Sequence, residues 1–129
     1  MTKHLLDRPV WSALASRDAV LAEGGALARR YPAAIVPFAS TAHDSPESLA
    51  ALATLVAPGE TIYMAQADPI ALPPELSPAL VARGVQMLAE KPAEQAVDAR
   101  IRALGPADAA EMVELATLTK PGPFTLRAM

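Results

Sequence analysis

Cysteine is absent from this 129-residue chain, which excludes disulfides, thiolate catalysis and thiolate metal sites. Aromatic residues make up only 4% of it, so Trp11, Tyr31, Phe38, Tyr63 and Phe124 are scarce large pieces in a core of small and medium aliphatics. Positive charge is also in short supply. Eleven Lys and Arg face 14 Asp and Glu, a formal net charge of −3, and the longest basic run is Arg29-Arg30. No basic face is available to neutralise phosphates, which argues against nonspecific nucleic-acid binding. No apolar stretch approaches the ~20 residues of a membrane span, and residues 1–9 lack the apolar region of a signal peptide. A soluble cytoplasmic protein, with no nucleic-acid or membrane partner, is expected.

Chemistry-bearing patterns are missing as well. His4 and His43 have no partner carboxylate or histidine at helical spacing, and read as lone exposed histidines rather than as ligands or bases. No metal-site spacing and no nucleophile–base–orienter set occurs, so no catalytic residue is assigned. Gly24-Gly25 lacks the third glycine of a phosphate-cradling loop and reads as a helix stop. Glu111 and Glu114, three residues apart, read as a solvated helix face rather than a general-base pair.

What the chain does have is hydrophobic content, 52% of its residues, which rules out disorder. A globular chain of this length buries roughly 65–70% of its unfolded surface. Proline is over-represented, at 13 residues. Pro69, Pro73, Pro74 and Pro78 cluster in one rigid or turn-rich connection. Pro92 lies in a polar stretch that reads as a linker, residues 91–96, separating a domain over residues 1–90 from a second segment over 97–129.

Within the first domain the pattern is mixed α/β. Pro9 to about Leu21 suits a helix, with an irregular segment as the alternative because Ser16-Arg17-Asp18 breaks the apolar period. Leu27–Tyr31, Ile35–Ala39, Thr61–Met64 and Gly84–Ala89 suit short strands. The helix after Ser45 is the clearest element. Ser45 suits N-cap, Pro46 suits N1, and Leu49, Leu52, Ala53 and Val56 form one apolar stripe. Trp11 reads as a core or interface anchor, and Met64 and Met87 as core filler.

After the linker, Val97–Ala103 alternates apolar and charged residues, the period of a half-buried strand. Gly105-Pro106 turns the chain into a helix over Ala107–Leu118, with Met112, Leu115 and Ala116 facing inward. Lys120, before Pro121, is pushed out of the right-handed helical region and ends that helix. The loop Thr119-Lys120-Pro121-Gly122-Pro123-Phe124 is stiff on both sides of a permissive glycine. It suits either a substrate wall or a helix-to-helix connection with Phe124 in the core.

The strand over 99–104, the Gly105-Pro106-Ala107-Asp108-Ala109-Ala110-Glu111-Met112 opening and the run from Glu114 through Phe124 together resemble the start of a GNAT-superfamily N-acetyltransferase. Pro9–Leu14, Ala28–Pro32, Val36–Ala39 and Val85–Met87 resemble the N-terminal α/β region carried by one bacterial group of that superfamily. Arg127 matches the group's pattern, whereas Ala128 stands where threonine is expected. The resemblance implies a small N-terminal mixed α/β domain followed by the first strand, helix and loop of an acyl-CoA N-acyltransferase fold. It also implies acetyl transfer from acetyl-CoA to a small-molecule or peptide amine. The family's pyrophosphate loop does not occur, because Arg83-Gly84 is followed by no second glycine. No cofactor-binding residue is therefore assigned, and no cofactor is expected for this chain alone. The resemblance assigns only the loop Thr119, Lys120, Pro121, Gly122, Pro123 and Phe124, as an acceptor-side wall. The chain is expected to be the catalytically incomplete N-terminal part of such an enzyme, pairing with the missing C-terminal half or with itself. The alternative is a stand-alone, non-catalytic binding or dimerising protein whose C-terminal strand and helix complete a sheet. A pocket lined by Trp11 and Tyr63 has no support in the sequence.

Overall fold

The computed structural model of the chain describes residues 4–95, 97–120 and 122–128. Its regular elements are helix α1 (Pro9–Leu14), strands β1 (Glu23–Gly24), β2 (Ala28–Arg30) and β3 (Ala39–Thr41), helix α2 (Pro46–Thr54) and helix α3 (Ala109–Thr119). Short 3-10 turns precede α1 at Leu5–Asp7, precede α3 at Pro106–Asp108 and follow it at Leu126–Ala128. The strands form one antiparallel sheet in chain order, with Gly24 opposite Arg29 and Arg29 opposite Ser40. The mixed α/β class expected from the sequence is what the chain adopts.

The run Arg29-Arg30 locks this sheet to its helices. Successive strand residues leave opposite faces, and each arginine reaches the C-terminal end of a different helix. Arg29 Nη1 donates to the Leu14 carbonyl at 2.8 Å, at the end of α1, and its guanidinium lies 5.2 Å from the Trp11 ring centroid. Arg30 Nη1 donates to the Leu55 carbonyl at 2.7 Å, at the C-cap of α2. A guanidinium there satisfies an orphan carbonyl and meets the negative helix end. The sheet thus lies between α1 and α2. Trp11 anchors α1 through a cation–π contact.

Arg30 is itself buried, at 4% exposure, and the isolated cost of that burial is large. Glu60 offsets it with a two-pronged ion pair. Glu60 also accepts the Ala57 backbone N–H at 2.8 Å, closing the turn after α2. The Arg30 hydrogen bonds, followed by that from Ala57, pull the Glu60 carboxyl down to about 2. On the other side, Arg8 ties α1 to β3 by donating to the Thr41 carbonyl and hydroxyl at 3.1 and 3.0 Å, and it pairs with Asp44 at 2.7 Å.

The core between β2, β3 and α2 is small. Ala28, Ala39 and Leu52 are buried, with Ala51, Leu55, Ile62, Met64 and Leu76 packed around them. Ser45 caps α2 by accepting the Ser48 N–H, and Pro46 occupies its first turn. Tyr31, half-buried, donates its hydroxyl to Asp18. Burial, reinforced by that bond, pushes the phenol up to about 12.

Several elements differ from the sequence expectation. The first helix ends at Leu14 and gives way to turns through Leu21, because Ser16, Arg17 and Asp18 leave no apolar face to continue. Gly24 and Gly25 do not stop that helix. They turn the β1–β2 hairpin, where Gly24 has φ +107° and an added Cβ would sit 2.3 Å from the Ala28 carbonyl oxygen. The strand expected over Ile35–Ala39 starts at Ala39 instead, since residues 32–36 turn on hydrogen bonds to the Pro32 carbonyl. The run Thr61–Met64 contributes a single parallel bridge, Tyr63 beside Phe38, with ring centroids 5.7 Å apart.

Two further β runs do not form. Residues 84–89 are exposed and unpaired, with Met87 89% exposed rather than core filler. Residues 97–104 likewise find no ladder partner among the described residues. They bend at Asp98, whose carbonyl accepts the Ile101 N–H and whose carboxylate binds Arg100. A strand requires a neighbour for its N–H and C=O groups, so an alternating pattern alone does not make one.

Candidate functional site

The segment singled out by sequence begins with α3. The turn before it is closed by Asp108, which accepts the Gly105 N–H at 2.9 Å and pairs with Arg102 at 2.7 Å. The Arg102 guanidinium, then the Gly105 N–H, hold the Asp108 carboxyl below its usual range. Met112 and Ala116 are half-buried, as expected for the inner face, but Leu115 is 62% exposed.

The end of α3 is the unusual part. Lys120 leaves the right-handed region as its place before a proline requires, yet it turns left-handed, at φ 50° and ψ 51°, rather than extended. Its N–H still donates to the Ala116 carbonyl at 2.8 Å. Glycine is the ordinary occupant of such a C-cap, and Lys120 is the single non-glycine residue with positive φ among the described residues. Gly122 follows with φ 144°. Thr125 then pins the returning chain to the turn over residues 32–36, its hydroxyl donating to the Ile35 carbonyl at 2.6 Å.

This doubling-back encloses an open hollow of about 270 Å³ lined by Ala116, Thr117, Lys120, Gly122 and Phe124. Drug-sized pockets run to roughly 300–1,000 Å³, so this hollow accepts only a small group. Of the six loop residues expected at a site, Lys120, Gly122 and Phe124 line it. Thr119 turns its hydroxyl to the Leu115 carbonyl at 2.8 Å, Pro123 is half-buried without lining the hollow, and Pro121 lies outside the described residues. Sequence reasoning missed Ala116 and Thr117. Their spacing of four and three residues before Lys120, one helical face, was the available signal. It also missed Thr125, whose partner is 90 residues away.

Elsewhere the chemistry is structural. His4 accepts the Leu6 N–H at 3.1 Å and so caps the first turn, and His43 is exposed. No group of three or more metal-ligating side chains occurs among the described residues. Glu111 lines a smaller hollow of about 160 Å³ with Arg102, Leu104, Asp108, Met112 and Leu115. Trp11 and Tyr63 do not share a pocket: the first stacks on Arg29 and the second on Phe38. No helix among the described residues is long and apolar enough to cross a membrane.

The residues present do not fit a CoA pyrophosphate. Such a group needs free backbone amides at a helix N-terminus and no competing anion. Arg83 and Gly84 lie in an exposed stretch with no helix after it. Helices α2 and α3 both begin with carboxylates, Glu47 in one and Asp108 and Glu111 in the other.

No family model and no curated protein matches the chain. Among solved structures it is similar to an acetyltransferase assigned to the GNAT family, from Novosphingobium aromaticivorans, with 31% identity and a TM-score of 0.74. The match covers 98% of this chain and 55% of that one. The chain therefore has a GNAT-like fold, and it spans about half the length of the protein it matches.

Proposed function

We propose that this chain is the acceptor-side, N-terminal part of an acetyl-CoA-dependent N-acetyltransferase working in the cytoplasm. Its cofactor would be held by sequence beyond these 129 residues. The observation that carries this is the structural likeness, which runs through nearly the whole chain at 31% identity yet accounts for 55% of the acetyltransferase. The poor fit of the described residues to a pyrophosphate supports the same division. In that division residues 1–90 form the α/β domain, 91–96 the linker and 97–129 the opening of the catalytic domain. The loop at the end of α3 would wall the site of a small-molecule or peptide amine.

These 129 residues hold no cysteine, so a thiol reagent reads only released CoA when the chain is assayed alone, and an amine-free control is subtracted for the joined protein. The chain is incubated with acetyl-CoA and a panel of amines, alone and joined to the part of the Novosphingobium protein that it does not match. Release is expected from the joined protein only. Release by the chain alone would overturn the division of the site. A joined protein that binds acetyl-CoA but acetylates no amine would overturn the acetyltransferase reading.

A second reading, a non-catalytic dimerising protein, is favoured by exposed apolar residues. Val97, Ile101, Leu115 and Leu118 are 102%, 72%, 62% and 79% exposed, and a contact between two copies would cover apolar side chains of this kind. Light scattering on the eluting protein separates the two, because a concentration-independent monomer excludes dimerisation.

A further inference from the structure

The hollow at the end of α3 has a charge of one sign. Lys120 lines it, and Lys120 forms no ion pair or side-chain hydrogen bond among the described residues. None of the other lining residues, Ala116, Thr117, Gly122 and Phe124, carries charge. The carboxylates of α3, Glu111 and Glu114, do not line it. Arg127 stands on the short turn Leu126–Ala128, which packs against α3 and adds a second cation to this end of the molecule. The hollow is small, and Phe124, 37% exposed, supplies its largest apolar side chain. Thr117 supplies no free donor, since its hydroxyl hydrogen goes to the Val113 carbonyl at 2.8 Å.

A cationic ammonium would be repelled here, whereas a carboxylate on a short apolar stem would find both its partners. The backbone points the same way. Lysine carries a steric cost in the left-handed region that glycine does not, and strain of this kind concentrates where a side chain is used.

We propose that this hollow binds the anionic end of the acceptor: a carboxylate paired with Lys120, with its apolar stem against Phe124. Calling the ligand the acceptor rests on the acetyltransferase reading; the anion site itself does not. The acceptor class is then an amine that also carries a carboxylate, such as an amino acid or a peptide C-terminus, rather than a polyamine. The reactive amine lies at the far end of the molecule, away from Lys120.

Phenylacetate and phenethylamine, which share a ring and differ in charge, are the probes. Each is titrated into the 15N-labelled chain while backbone amide resonances are followed. Phenylacetate is expected to shift amides of residues 116–120 and 122–125 saturably, and phenethylamine is not. Lys120→Met is expected to weaken phenylacetate about tenfold, the scale of one charge-assisted hydrogen bond, and Lys120→Arg to preserve binding. An equal response to phenethylamine, binding of phenylacetate undiminished in Lys120→Met, or no saturable response would each overturn the proposal. No cofactor enters this experiment, so its failure is distinct from failure of the CoA-release assay.

Discussion

At the scale of single residues, the stability of this small protein depends on polar side chains that replace the missing large hydrophobes. Arg30 joins sheet, helix end and turn through Leu55, Tyr31 and Glu60. Leaving a buried charge without its partner costs about 3 kcal/mol or more, a large share of the 5–15 kcal/mol typical of whole domains. Glu60→Gln is therefore expected to lower the urea midpoint sharply at pH 7. The Glu60 carboxyl sits at about 2 in the folded chain against an ordinary 4.5. Its stabilisation is present above about pH 4.5 and is lost as pH falls towards 2. Midpoints measured between pH 7 and 2 are expected to fall through that window in the native sequence and to flatten in Glu60→Gln. Equal slopes would show that the pair is not the acid-sensitive link. Lys120 gives the opposite kind of expectation. Lys120→Gly relieves a left-handed side chain and is expected to raise stability by about 0.5–1 kcal/mol, while removing the charge that the hollow offers. Unchanged or lowered thermal stability would contradict the strain.

At the scale of elements, helices were more legible than strands. Helix α2 carries its starting chemistry in Ser45 and Pro46 and begins there, though it ends at Thr54, before Val56, the last residue of the expected stripe. Ser45→Ala is expected to cost about 1 kcal/mol, measurable by chemical denaturation, and a loss below a few tenths would mean that the cap is idle. Strands depend on partners elsewhere in the chain. Ala28–Arg30 formed within the expected run because Ala39–Thr41 lies beside it. Gly84–Ala89 and Val97–Ala103 had the composition or alternation but no strand neighbour among the described residues. Gly24-Gly25 is ambiguous in sequence because a glycine pair marks a positive φ without saying whether a helix ends or a hairpin turns. The loop after α3 was visible as stiff punctuation, but its return to Ile35 through Thr125 was not, since a 90-residue hydrogen bond leaves no local pattern. Thr125→Val removes that donor. Amides of residues 122–128 are expected to exchange faster with solvent in the variant, whereas those of β2 and β3 keep their rates. Uniform acceleration would instead indicate global destabilisation.

At the scale of the whole molecule, two regions of unequal cohesion share one chain. Residues 5–76 enclose the sheet and its core, whereas residues 77–95 are exposed throughout. Val85, Met87, Val97 and Ile101 are each at least 72% exposed. The structural neighbour is nearly twice as long. Under the proposed division, that additional length represents both the cover for these side chains and the holder of the cofactor. Titration calorimetry of CoA into the purified chain tests this directly. The expected result is no saturable heat in the micromolar range. Saturable micromolar binding would place a complete cofactor site within these 129 residues and contradict the proposed division.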